Sequence, residues 1–174
     1  MTRALTYIGF GWLCLLVVAA FQGAVPLGWG TYLAAPDILL VVTLFFGLQG
    51  RDEVGTTCAV GAAMGYLGDL FHGSPKGLHM LAYALAALGA RLAASRLLVR
   101  GWPATMLVTL MATLGFGALV TVLRASFEPG VGWEPVRMVP MAAFATALGA
   151  PWLFRILERI ERRFVRDARA IRPI

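Results

Sequence analysis

The sequence predicts an all-α integral membrane protein, a bundle of six transmembrane helices, and three observations lead there. The first is composition: 59% of the 174 residues are apolar and 14% charged, against about 45–50% and about 25% in soluble domains. The second is grouping, because the apolar residues fall into six runs, each near the ~20 residues that cross a hydrocarbon core. The third is the placing of the cations: seven of the fifteen Lys and Arg are arginines within the last twenty positions. A soluble enzyme of this size could not cover itself with so few charges. Six spans use about 120 positions, which leaves no room for a second, extramembrane domain.

The elements follow in order. Span one is expected at 4–25; its short cationic start at Arg3 mimics a signal peptide, but the run is long enough to cross and five more follow. Pro26, Gly28 and Gly30 turn the chain, with Trp29 and Tyr32 suited to the headgroup boundary. Span two is expected at 31–48, ending at Gly50-Arg51-Asp52-Glu53. Span three covers 54–71, and His72 to Lys76 make the next turn. Span four covers 77–99 and span five 102–123. The longest loop, 124–134, leads to span six at 135–157. The last segment, 158–174, is a basic amphipathic tail.

Orientation follows from counting cations. With the N-terminus inside, Arg3, Arg51, Arg96, Arg100 and the seven tail arginines make eleven on the cytoplasmic side. Lys76, Arg124 and Arg137 make three outside, and Arg91 lies within span four, where its stem can snorkel inward or pair within the membrane. Both termini are therefore expected in the cytoplasm. The tail sets Ile156, Leu157, Ile160, Phe164 and Ala168 on one helical side, with Arg155, Arg159, Arg162, Arg163 and Arg166 around the rest. That pattern suits a helix on an anionic lipid surface and argues against nucleic acid as the partner of a net charge of +6.

Two acids stand in apolar surroundings. Asp37, after Pro36, is expected about six residues into span two, and Asp69 near the outer end of span three, at similar depth. An acid at the centre of a membrane helix costs about 2.5–3.5 kcal/mol. Helix capping, a network with Lys76, His79, Arg124 or Arg137, a ligand or ion site, and a grip on a partner protein are all open readings. Span three also carries Thr57, Gly61, Gly65, Asp69, Gly73 and Gly77 at every fourth position, a stripe that lets helix backbones approach. Span four answers with Ala82, Ala86, Ala90 and Ala94. Gly73 and Gly77 belong to the turn around Pro75, where a positive φ suits glycine.

No catalytic arrangement emerges. His72 and His79 are seven apart across a Pro-Gly break, unlike a zinc helix. There is no GxSxG and no phosphate-binding glycine loop. Cys14 and Cys58 lie in apolar runs without a CxxC and read as buried thiols. No cofactor or metal is expected.

Pro36-Asp37-Ile38-Leu39-Leu40, followed by the stretch from Gly61-Ala62-Ala63-Met64-Gly65-Tyr66 through Asp69, Gly73-Ser74-Pro75-Lys76-Gly77-Leu78 and His79 to Tyr83, resembles the rod shape-determining protein MreD family. The resemblance covers 36–89, together with length and span count; the tail does not map onto it. It implies a non-enzymatic inner-membrane subunit of the bacterial cell-elongation machinery. Such a subunit binds MreC and works beside MreB, the glycan polymerase RodA and a penicillin-binding transpeptidase in peptidoglycan synthesis. Pro36, Asp37, Gly65, Asp69, Gly73 and Gly77 would be its family positions. The arrangement is also similar to the substrate-binding subunits of energy-coupling-factor vitamin transporters. A small-molecule carrier is therefore the alternative to the adaptor, disfavoured by short outward loops with few polar groups to orient a ligand.

Overall fold

The computed structural model describes residues 2–24, 36–49, 53–72, 77–94, 101–127 and 134–170, with side chains at 3–17, 36–49, 53–70, 77–94, 101–126 and 139–162. The described residues form six α-helices and no strand: α1 (Thr2–Ala24), α2 (Ile38–Gln49), α3 (Val54–His72), α4 (Leu78–Ala94), α5 (Trp102–Phe127) and α6 (Glu134–Ala170).

α2 is the axis of the bundle. Nine consecutive residues, from Leu39 to Gly47, are buried, and α2 touches each of the other five helices. A helix apolar on every side has only one stable place, the interior. Tyr7 of α1 packs its ring against Phe45 and Phe46, at 6.0 and 5.3 Å between centroids, and Phe154 of α6 meets Phe45 edge-on at 5.2 Å. The outer surface is the opposite case. Large apolar side chains stand exposed on all five other helices, among them Leu5 and Leu13 on α1, Leu70 on α3, Leu92 on α4, Leu107 on α5 and Trp152 on α6. Among the described residues, this girdle of exposed apolar side chains on five of six helices exceeds the isolated patches of soluble proteins.

Two helices, over Trp102–Ser126 and Val139–Arg162, are long and apolar enough to cross a membrane by length and composition; Arg3–Val17, Ile38–Gln49 and Leu78–Ala94 are shorter apolar stretches among the described residues. α2 corrects the expected start of span two. Pro36 and Asp37 are not helical and α2 begins at Ile38, so Asp37 opens the helix instead of lying six residues inside it. Proline disfavours helical geometry in the residue before it, and Asp is a preferred N-cap. The twelve residues of α2 reach only about 18 Å.

α3 lies more extensively against α4 than any other two helices lie together, and the glycine stripe is the reason. A Cβ on Gly61 would sit 2.6 Å from Tyr83 O and 2.9 Å from Ala87 Cβ; one on Gly65 would strike His79 O. The facing residues of α4 are thus His79, Met80, Tyr83, Ala84 and Ala87, not the expected row Ala82, Ala86, Ala90 and Ala94. That row turns elsewhere: Ala90 Cβ closes on Gly47 of α2, where an added Cβ would lie 2.8 Å away, and Ala86 and Ala90 border a groove beside α5. Gly77 precedes α4 with φ at 100°, as its turn position requires; Gly73 and Lys76 lie outside the described residues.

α5 and α6 form the second close pair. Thr105, Thr109, Thr113, Gly117 and Thr121 recur every fourth residue, and a Cβ on Gly117 would collide with Val139 of α6. The hydroxyls of Thr105, Thr113 and Thr121 donate to carbonyls four residues back, which keeps them satisfied in apolar surroundings. α5 continues to Phe127, so Arg124 belongs to the helix and not to the expected loop; the rest of that loop, 128–133, lies outside the described residues. α6 runs unbroken across the expected boundary at 157/158, with Pro140 and Pro151 inside it. Its 37 residues span about 55 Å, well beyond a ~30 Å hydrocarbon core. As far as Ala170 the tail continues α6. Cys14 and Cys58 are free and only half-buried, less enclosed than expected.

Candidate functional site

Both acids bond to α4, Asp69 at its first turn and Asp37 through Tyr83. Asp69 lies in the last turn of α3 and is buried. Its Oδ2 accepts from the Gly77 N–H at 2.8 Å and from Met80 N–H at 3.3 Å, and its Oδ1 from His79 N–H at 3.0 Å. These are first-turn amides that α4 cannot satisfy within itself. A side chain on one helix thus caps the next, its negative charge at the positive end of the α4 dipole. His79 Nδ1 lies 3.0 Å from the same Oδ1, a contact that needs a proton on Nδ1 when the carboxyl is ionised. Gly68 leaves room for that ring: a Cβ there would only touch it, at 3.4 Å from His79 Cβ.

Asp37 caps its own helix, its Oδ1 accepting from Leu40 N–H at 2.9 Å. The Tyr83 hydroxyl, one turn beyond His79 on α4, reaches both carboxylate oxygens at 2.7 and 2.9 Å. The backbone N–H of Asp37 donates to Thr146 Oγ1 of α6 at 3.0 Å, and that hydroxyl in turn donates to Ala142 O at 2.7 Å. α2, α4 and α6 are tied at one level. Capping and a network between helices, posed as alternatives, are the same structure here. Of the expected partners, His79 holds Asp69, and Lys76 lies outside the described residues; Asp37 is held by Tyr83 and Thr146, which the sequence did not single out. Arg124 Nε is buried without a hydrogen bond, and the Arg137 side chain lies outside the described ones.

A second polar cluster occupies the other end. Arg3 forms a fork with Glu161, Nε to Oε2 at 3.0 Å and Nη2 to Oε1 at 3.0 Å, and the Tyr7 hydroxyl donates to Oε2 at 2.6 Å. The guanidinium also lies 5.3 Å from the Phe46 ring centroid. Sequence reasoning missed this cluster by assigning Glu161 to the tail. The signal was present: Glu161 falls four residues after Leu157, on the tail's apolar side, where an acid needs a partner. Arg91 Nη1 reaches Thr57 Oγ1 at 3.5 Å. Of the tail arginines, Arg155 stacks over Trp102 and Trp152, Arg159 and Arg162 are exposed, and the side chains of Arg163 and Arg166 lie outside the described ones. Among the described residues no group of three His, Cys, Asp or Glu side chains converges as a metal site would.

Helices with an apolar girdle, whose acids cap and tie helices, define the class: an all-helical membrane protein. The family model for rod shape-determining protein MreD matches residues 4–155. The chain belongs to that family, and its role lies in the determination of rod shape. The match is wider than the 36–89 in which the resemblance was visible, and it stops before Glu161. No curated protein and no solved structure matches the chain.

Proposed function

We propose that this protein is a non-enzymatic, six-span adaptor of the cell-elongation machinery in the bacterial inner membrane, binding MreC and helping to organise peptidoglycan synthesis with MreB, RodA and a penicillin-binding transpeptidase. The observation that carries the proposal is the family match over 4–155. The apolar girdle supports it physically, because a chain with so little mass outside the bilayer recognises partners helix against helix. The Arg3–Glu161 fork supports the same-side placing of the chain ends, and the bias of cations puts that side in the cytoplasm.

In this reading Pro36, Asp37, Gly61, Gly65 and Asp69, with Gly73 and Gly77, keep the helices in the arrangement that presents the partner surface. The exposed tail arginines add attraction to anionic lipid. The test is a mild-detergent pull-down of the tagged protein from its native membrane, with mass spectrometry of proteins and small molecules. Recovery of MreC with elongation proteins supports the adaptor. Recovery of an ATPase pair and a bound vitamin establishes the carrier alternative, in the manner of energy-coupling-factor transporters, and ends this proposal.

A further inference from the structure

The molecule holds two neighbouring spaces, one polar and one apolar, that neither polar cluster uses. Where α2 ends and α5 begins, a chamber of 410 Å³ is lined by Gln49, Trp102, Thr105, Phe154, Arg155 and Glu158. A groove of 560 Å³ lies between α4 and α5, bordered by Ala86, Gly89 and Ala93 on one side and Met111 and Gly115 on the other. Leu48 of α2 lines both. Each volume falls within the ~300–1,000 Å³ of small-molecule sites.

The chamber carries charge of both signs. Arg155 is held by two indoles, its guanidinium carbon 4.8 Å from the Trp102 ring and 5.7 Å from that of Trp152. These ring contacts hold the guanidinium at the chamber wall and leave N–H donors available to a phosphate. Glu158 follows one turn later, and among the described residues neither it nor Arg155 makes an ion pair. The start of α5 also borders the chamber, with no acid in its first turn, so its positive dipole end is uncompensated. The groove is apolar and runs along α5 from Leu107 to Leu119, about 18 Å at 1.5 Å per residue. One leaflet of a ~30 Å core is about 15 Å deep.

We propose that the two spaces, which meet at Leu48, together hold one phospholipid with a zwitterionic, amine-bearing headgroup. Its phosphate lies against Arg155 and the start of α5, its ammonium toward Glu158 and the aromatic wall, and one acyl chain fills the α4–α5 groove. An anionic headgroup would satisfy Arg155 and leave Glu158 facing like charge, whereas a zwitterion satisfies both. The proposal rests on the membrane reading alone and is independent of MreC.

The test is native mass spectrometry of the delipidated full chain in detergent. The probes are dioleoyl phosphatidylethanolamine, dioleoyl phosphatidylglycerol and free phosphoethanolamine. One phosphatidylethanolamine adduct is expected, preferred over phosphatidylglycerol. Arg155→Gln should weaken both lipids roughly tenfold, the scale of one charge-assisted hydrogen bond, and Glu158→Gln should erase the preference. Gly89 has nothing within 4 Å of an added Cβ, so Gly89→Leu should fill the groove without disturbing the fold and remove lipid binding. No adduct, equal binding of both lipids, or binding of free phosphoethanolamine as tight as that of the lipid would overturn the proposal. So would lipid binding that survives Gly89→Leu; loss of MreC recovery in that variant would then make the groove a seat for a partner helix.

Discussion

The two polar clusters sit at opposite ends of the bundle and are built differently. Against α4, two carboxylates each accept from backbone amides: those of Gly77, His79 and Met80 for Asp69, with the His79 imidazole beside it, and that of Leu40 for Asp37, with the Tyr83 phenol beside it. At the other end Glu161 meets a guanidinium and a phenol. The first kind of site satisfies helix ends within an apolar bundle, where an unpaired amide is expensive. The second is a charged pair in which Glu161 is as buried as Asp69, while the Arg3 side chain keeps 17% of its surface and can still reach water if its partner is lost. The first should therefore set the stability of the fold, and the second should fasten the N-terminus to α6 at lower cost.

Substitutions can break or sharpen that contrast. Gly65→Leu should have the largest effect, because its side chain would be driven into the backbone of His79 and Met80. A loss of about 3 kcal/mol or more is expected from such overpacking, measured as the unfolding midpoint in detergent. Unchanged melting would refute close packing of α3 on α4. Asp69→Ala should come next at about 3 kcal/mol, since it strips the cap from α4 and leaves several donors unpaired; Asp69→Asn should recover part of it. Glu161→Ala should cost about 2 kcal/mol, between the values for buried and exposed pairs. Tyr83→Phe should be smallest at about 1–2 kcal/mol, because Asp37 keeps its own helix amide. A Glu161→Ala loss larger than that of Asp69→Ala would reverse the ranking of the two ends.

How much was legible in the sequence follows the same contrast. Asp37 and Asp69 stood out because acids are rare in apolar runs, and Gly61 and Gly65 because their spacing admits a backbone. Their partners were harder. Tyr83 is an ordinary aromatic in sequence, and the Thr146 hydroxyl is hidden among alanines until α6 is laid beside α2. Asp37 was placed inside a helix and not at its start because hydrophobicity alone runs through Pro36 and takes no notice of where the helix begins. Glu161 was lost among arginines, where an acid reads as solvated surface. The α4 face was misjudged because a row of alanines shows that an approach is possible without showing which neighbour takes it; Ala90 answers Gly47 of α2.

The central claim is that Asp69 acts by holding α4 in place and not by touching MreC. The most direct measurement pairs two readouts on Asp69→Ala: the melting midpoint of the purified bundle and the recovery of MreC in a pull-down from membranes. The account predicts that both fall together and that Asp69→Asn partly restores both. Loss of MreC from a bundle that melts like wild type would contradict it and make Asp69 a partner contact.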